Sequence, residues 1–251
     1  MKTLEAHFTP ADFAALQTRD LSRAVCVVFD IFRATSSMIT ALANGAQEII
    51  PVAEIPEALA LRAKNPALLL AGERDGLRIR ADLTGGVDFD LGNSPREFTR
   101  EKVAGKTIAI STTNGTRALR ACARARTVFA GSFLNLRATA EFILKNPPET
   151  LLLVCSGTFE QSALEDVLGA GAMAEIVWTH FAGGAVSDSA LMARQLFLAA
   201  EKKLPAAAAL SRNGRRLLSR PELKDDVAFC LQRDIFPFAA AMRPDGILSR
   251  A

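Results

Sequence analysis

Apolar positions along the chain fall into two alternating regimes. Short aliphatic runs at 24–29, 48–52, 67–71, 107–110, 127–130 and 151–155 have the length and β-branched content of strands. The segments between them, 35–43, 56–64, 116–123 and 136–145, carry apolar residues at helical spacing and end in breakers, as at Asn44-Gly45. Strand, helix, strand repeated in this way predicts an α/β fold with a mainly parallel sheet and helices on its faces.

After Ser156 the pattern becomes helix-rich, with candidates at 163–179, 189–203 and 205–219, and the apolar run at 235–241 reads as one more strand. Residues 72–95 are polar and Gly-rich without a clear period, and a loop of that length inside a compact unit usually carries function. It is assigned to the rim of an active site. A chain of 251 residues forms one catalytic α/β unit or two lobes, and the only boundary signal, Asn146-Pro147-Pro148, divides it into about 1–146 and 147–251.

Composition narrows the function classes. A hydrophobic content of 49% with 23% charged residues is that of a globular protein. The 30 basic and 27 acidic residues are spread over both halves, so the net charge of +3 provides no field for nucleic acid or anionic lipid. No stretch approaches ~18 uncharged apolar residues, and Met1-Lys2-Thr3-Leu4-Glu5 lacks an apolar core, so a cytoplasmic location is expected, with no membrane or nucleic-acid partner. Cys26, Cys122, Cys155 and Cys230 include no C-x-x-C pair and are expected as buried free thiols. With only His7 and His180 and no Tyr, carboxylates must carry most acid/base chemistry.

Ligands of open parallel sheets bind beyond the carboxyl ends of the strands, which here are polar. The first run delivers Asp30 and Arg33, the third Glu73 and Arg74, and the fourth Thr112, Thr113, Asn114, Gly115 and Thr116. Asp30 and Glu73, without His or Cys nearby, suit a hard, oxygen-preferring ion such as Mg2+. Asp30 reads equally well in isolation as a helix cap. The Asn114-Gly115-Thr116 turn offers backbone N–H groups to a phosphate, or is a plain strand-to-helix turn. Arg33 and Arg74 can neutralise a dianion, or form surface ion pairs. Glu165-Asp166 opens a helix, where acids are favoured by the dipole alone, and either can reach a metal. Asp225-Asp226 sits at another helical start and carries the same ambiguity.

Several phosphate chemistries fail on spacing. Asp30-Ile31-Phe32 lacks the second Asp of a haloacid-dehalogenase-type enzyme, Cys155 lacks the Arg of a cysteine phosphatase loop at Gln161, and Gly105-Lys106-Thr107 precedes a strand instead of following one. Gly169-Ala170-Gly171 lies in a helical pattern and reads as close helix packing.

Taken in order, Asp30-Ile31-Phe32-Arg33-Ala34-Thr35, Gly72-Glu73-Arg74, Asp90-Leu91-Gly92-Asn93-Ser94-Pro95, Thr112 to Thr116, Glu165-Asp166 and Asp225 to Cys230 resemble the 2-phosphosulfolactate phosphatase family. The resemblance implies a three-layer α/β/α fold with a mixed sheet, assembled as a homodimer. It also implies a Mg2+-dependent hydrolase that converts 2-phospho-3-sulfolactate, or a related small phospho-hydroxy-acid, to 3-sulfolactate and phosphate in a coenzyme M route. Asp30, Arg33, Glu73 and Arg74 would then be catalytic and Asp30, Glu73, Glu165 and Asp166 would hold the metal. Thr112 to Thr116, with Asn93 and Ser94, would bind the phosphorylated substrate. A non-catalytic binding protein for a small anionic metabolite is the alternative, and phosphate release with and without a chelator separates the two.

Overall fold

The structure, a computed structural model, describes residues Met1–Ala251. Eleven strands form one sheet: β1 (Thr3–His7), β2 (Ala24–Phe29), β3 (Glu48–Val52), β4 (Leu69–Arg74), β5 (Leu77–Arg78), β6 (Thr107–Ser111), β7 (Thr127–Gly131), β8 (Thr150–Cys155), β9 (Ala185–Val186), β10 (Ala240–Met242) and β11 (Leu248–Arg250). The helices are α1 (Phe13–Thr18), α2 (Ala34–Ala43), α3 (Ile55–Lys64), α4 (Ala81–Thr84), α5 (Arg100–Val103), α6 (Gly115–Ala121), α7 (Leu136–Lys145), α8 (Leu164–Phe181), α9 (Asp188–Ala200), α10 (Leu204–Ala209), α11 (Arg212–Leu218) and α12 (Lys224–Cys230). The fold is α/β with a mixed, mostly parallel sheet, helices on both faces and a helix-rich C-terminal part.

Strands buried on both faces read as unbroken apolar runs, and β2 shows why. Its Val25, Val27 and Phe29 enter one core under α7, α8 and α9, while Ala24, Cys26 and Val28 enter a second core with α2 and α6. β8 divides in the same way, Leu151, Leu153 and Cys155 against Leu152 and Val154. A third, smaller core under α3 takes Val52, Leu70 and Ala109. All four cysteines are buried and free.

The sheet order is β5-β4-β6-β3-β11-β10-β7-β2-β8-β1-β9. β4, β6 and β3 are mutually parallel, as are β7, β2, β8, β1 and β9, and the C-terminal hairpin β10–β11 joins the two blocks through antiparallel pairings on both sides. Ladder polarity alone would send the C-terminal ends of the two blocks to opposite edges. Six steps separate β4 from β2, and a right-handed twist of roughly 20–25° per step turns β2 by about 120–150°. That rotation returns both sets of strand ends to one side, with α6 packed against both β2 and β3.

Four departures from the sequence expectation have local causes. The helix expected over 205–219 breaks into α10 and α11, because Ser211 adopts an extended backbone and its Oγ accepts the Gly214 N–H at 2.9 Å as an N-cap. The run at 235–241 yields only the short antiparallel β10, which begins at Ala240. Residues 72–95 include the β4–β5 hairpin and α4. β1 escapes the apolar-run criterion, since Thr3-Leu4-Glu5-Ala6-His7 buries only Leu4 and Ala6.

Gly169 and Gly171 do serve helix packing. A Cβ on Gly171 would lie 2.1 Å from the Ala193 carbonyl oxygen of α9, and one on Gly169 3.0 Å from Phe29 and Ile31. Gly171→Ala is therefore expected to destabilise the fold by about 1–3 kcal/mol through overpacking, read as a lower urea midpoint at unchanged slope.

Candidate active site

The chain leaves β2 at Phe29 and turns into α2 through four buried residues. Thr35 fixes the turn, its Oγ1 accepting the Asp30 N–H at 3.1 Å and donating to the Asp30 carbonyl at 3.0 Å. Asp30 Oδ1 then accepts the Ala34 N–H at 3.1 Å, as an acid at a helix start does. Oδ2 rests against Gly115, where a Cβ would come within 2.7 Å of it. Glycine at 115 is thus a requirement of Asp30's position rather than of its own backbone angles.

Glu73, at the end of β4, is held by three donors. Oε1 accepts the Thr113 N–H at 2.9 Å and the Thr113 hydroxyl at 2.8 Å, and Oε2 accepts the Gly76 N–H at 2.7 Å. Asp166, in the first turn of α8, ties β2 to β8. Its Oδ1 accepts the Ile31 N–H at 2.8 Å, and its Oδ2 the Ser156 hydroxyl at 3.0 Å and the Gly157 N–H at 3.1 Å. Asp30, Glu73 and Asp166 line one pocket together with Asp75, Arg33, Asn93, Thr113 and Asn114.

Burial pushes the Asp30 carboxyl up to about 6, against hydrogen bonds from Ala34 and Ser156 that favour its charge, and the Glu73 and Glu165 charges add to the rise. Burial likewise raises Asp166, with the Glu165 and Asp30 charges adding to it, and raises Glu165. The site therefore concentrates negative charge that the protein only partly compensates.

Other expected residues are spent elsewhere. The Arg74 guanidinium donates to its neighbour's Glu73 carbonyl at 2.7 Å and to Ser111 Oγ at 3.0 Å, outside the pocket lining. Adjacent residues on a strand point to opposite faces, so Arg74 cannot share the direction of Glu73. Thr112 Oγ1 accepts the Thr116 N–H at 3.2 Å and Thr116 Oγ1 donates to the Thr112 carbonyl at 3.0 Å, which closes the first turn of α6. Ser94 donates to Asp226 at 2.6 Å. Glu165 Oε1 accepts from Asn213 at 2.6 Å and lines a neighbouring groove.

Arg33 is 3% exposed and its charge is met by fully buried Asp226 at 2.7 Å, while its second terminal nitrogen donates to the Gly76 carbonyl at 2.7 Å. Asp226 also accepts from Arg96 Nε at 2.9 Å. This anchors the Arg33 side chain from a residue 193 positions away, a role invisible in the Asp225-Asp226 pair. Sequence reasoning also missed Asp75, Phe159, Asn213 and Arg216, which line the pocket from the β4–β5 turn, the loop after β8 and α11. Asp75 and Phe159 have φ of 54° and 51°, which no local sequence signal announces.

For a divalent ion, no cluster of three or more His, Cys, Asp or Glu side chains is preformed. Mg2+ is commonly held by one or two carboxylates, waters and substrate phosphate, and a pocket whose acceptors are carboxylate and amide oxygens fits that habit. Asn93 Oδ1 and Asn213 Oδ1 line the same pocket as buried acceptors without a donor.

A family description, 2-phosphosulpholactate phosphatase, matches residues 11–244. A probable 2-phosphosulfolactate phosphatase of Caldicellulosiruptor saccharolyticus is 38% identical over 218 residues, 85% of this chain and 87% of that protein. One of the same description from Thermotoga maritima is 38% identical over 216 residues, covering 86% and 88%. Another, from Caldanaerobacter subterraneus, is 46% identical over 166 residues, 65% of each chain.

Two outcomes test the geometry. Asp226→Ala leaves a buried guanidinium without its anion and is expected to cost about 3–5 kcal/mol, measured by thermal or denaturant unfolding. Because the folded Asp30 carboxyl titrates near 6 instead of 3.8, the native state holds the extra proton between those values. Stability of the chelator-treated protein must then fall as pH rises through that window. Asp30→Asn removes this loss, so the metal-free variant should melt higher than the parent above pH 6, and a lower melting point there would contradict it.

Proposed function

The chain belongs to the 2-phosphosulpholactate phosphatase family, a family of phosphoric monoester hydrolases, and from that premise we propose a Mg2+-dependent hydrolysis of 2-phospho-3-sulfolactate, or a related small phospho-hydroxy-acid, to 3-sulfolactate and phosphate. The observation that carries the reading is the pocket itself. Three buried carboxylates, from the turn after β2, from β4 and from α8, meet two guanidiniums and the Thr113–Asn114 turn at one edge of the sheet.

A substrate of this class is itself multiply anionic, and it must enter a site already lined by Asp30, Glu73, Asp75 and Asp166. Charge balance supports a divalent ion, held by Asp30 with Asp166 or Glu73, which when bound would neutralise phosphoryl oxygens and stabilise the departing alkoxide. Arg33 keeps N–H donors beyond its bonds to Asp226 and Gly76, and with the Asn114 and Asn93 amides it can orient the phosphoryl oxygens. Glu73 does not move for this purpose, because three donors fix both of its oxygens.

Hydrolysis adds water at phosphorus and breaks the bond to the substrate oxygen. A proton leaves the water and one returns to the alkoxide. With no ion on it, burial brings the Asp30 carboxyl to about 6, so Asp30 is suited to take that proton transiently where Asp166 and Glu73 hold the ion, and stays a plain carboxylate where it is itself a ligand. Asp166, bonded to backbone at Ile31 and Gly157, keeps the Asp30 turn and the β8 loop in register while this happens. In this reading the enzyme works in the cytoplasm as a homodimer. No helix is long and apolar enough to cross a membrane.

Phosphate release from 2-phospho-3-sulfolactate is the direct test. The parent should turn over with Mg2+ and lose activity in excess chelator, and Asp30→Asn should lower kcat at least about 100-fold. Turnover unaffected by both would remove Asp30 and the metal from the mechanism.

A further inference from the structure

Arg216 is the one guanidinium lining the pocket that forms no ion pair or hydrogen bond with a protein acceptor. It is half-buried on α11 and lies across Gly76, where a Cβ would come within 3.6 Å of its Nη2. Gly76 also donates its N–H to Glu73 and offers its carbonyl to Arg33. Its φ of 78° lies in the left-handed region, which suits glycine there. One glycine is thus flanked by two cations that differ in state. Arg33 is neutralised by Asp226, whereas Arg216 pairs with no carboxylate, although its charge favours the ionised form of Glu165.

We propose that Arg216 is the specificity-determining residue of this pocket, taking the sulfonate of a substrate whose phosphoryl group lies toward Arg33 and Asp30. The proposal rests on the phosphatase reading above and adds to it the end of the site that selects the acid. A ligand with two strong acid groups spans Gly76 and meets a cation at each end. A ligand that keeps the phosphoryl and carboxylate groups but lacks the sulfonate leaves Arg216 unpaired. The guanidinium's planar fork matches the oxygens of a sulfonate, and a half-buried position shields the contact from water without desolvating the free side chain completely. Delivery from α11 also explains why the selecting residue lies in the helix-rich C-terminal part, away from the strand ends that hold the phosphoryl group.

The test crosses two enzymes with two substrates, 2-phospho-3-sulfolactate and 2-phospholactate, which lacks the sulfonate. Arg216→Ala should lower kcat/KM for the sulfonate substrate roughly 10–100-fold, mainly through KM, and at least about tenfold more than it lowers that for phospholactate. Arg216→Lys should restore part of the loss. Equal losses on both substrates would overturn the assignment and return Arg216 to the phosphoryl group, to the shared carboxylate or to a structural role. If the parent hydrolyses neither substrate, the phosphatase reading fails on its own, and calorimetric titration decides the subsite. 3-Sulfolactate binding that exceeds lactate binding in the parent and disappears in Arg216→Ala supports it, and equal binding of the two overturns it.

Discussion

Carboxylates kept out of water at one end of the sheet are the constraint around which the molecule is arranged. Asp30, Glu73 and Asp166 are each less than one-tenth exposed, and charge at that depth is costly unless something meets it. The protein meets it in part, with backbone N–H groups at Ala34, Thr113, Gly76, Ile31 and Gly157. What remains raises Asp30 and Asp166, and it is the charge that the proposed divalent ion would meet. Arg33 does not relieve the deficit, since Asp226 and Gly76 already hold it.

Placing those carboxylates depends on the sheet's twist. Two parallel blocks of opposite ladder polarity would face their C-terminal ends away from each other in a flat sheet. The short β10–β11 hairpin sets that polarity, and the twist accumulated across it folds the two edges back together around α2 and α6. The last residues of the chain therefore govern the meeting of Asp30 with Glu73, although neither touches them. Glycines complete the convergence where side chains would block it, Gly115 beside Asp30 and Gly76 between the two guanidiniums.

Much of this was legible in the sequence, and the parts that were share a cause. β2 and β3 match their expected bounds, and so does α7, because each has an apolar pattern whose period is a local property. The Asp30, Glu73 and Asn114 positions follow from the rule that ligands sit beyond strand ends, which needs only the order of elements. Buried thiols followed from apolar flanks. Arg74 shows where such reasoning stops, since its neighbour's direction along a pleated strand decides its own.

The amino-acid order by itself thus determined most of the core strands and the helices between them, which polar residues stand at their ends, and the family to which the motifs belong. Tertiary structure decided the direction of the two blocks, the partner of Arg33 and the presence of Arg216 in the pocket. Those depend on contacts between residues far apart in the chain, whose energy comes from burial and charge pairing after the elements have packed, and no local period carries that information.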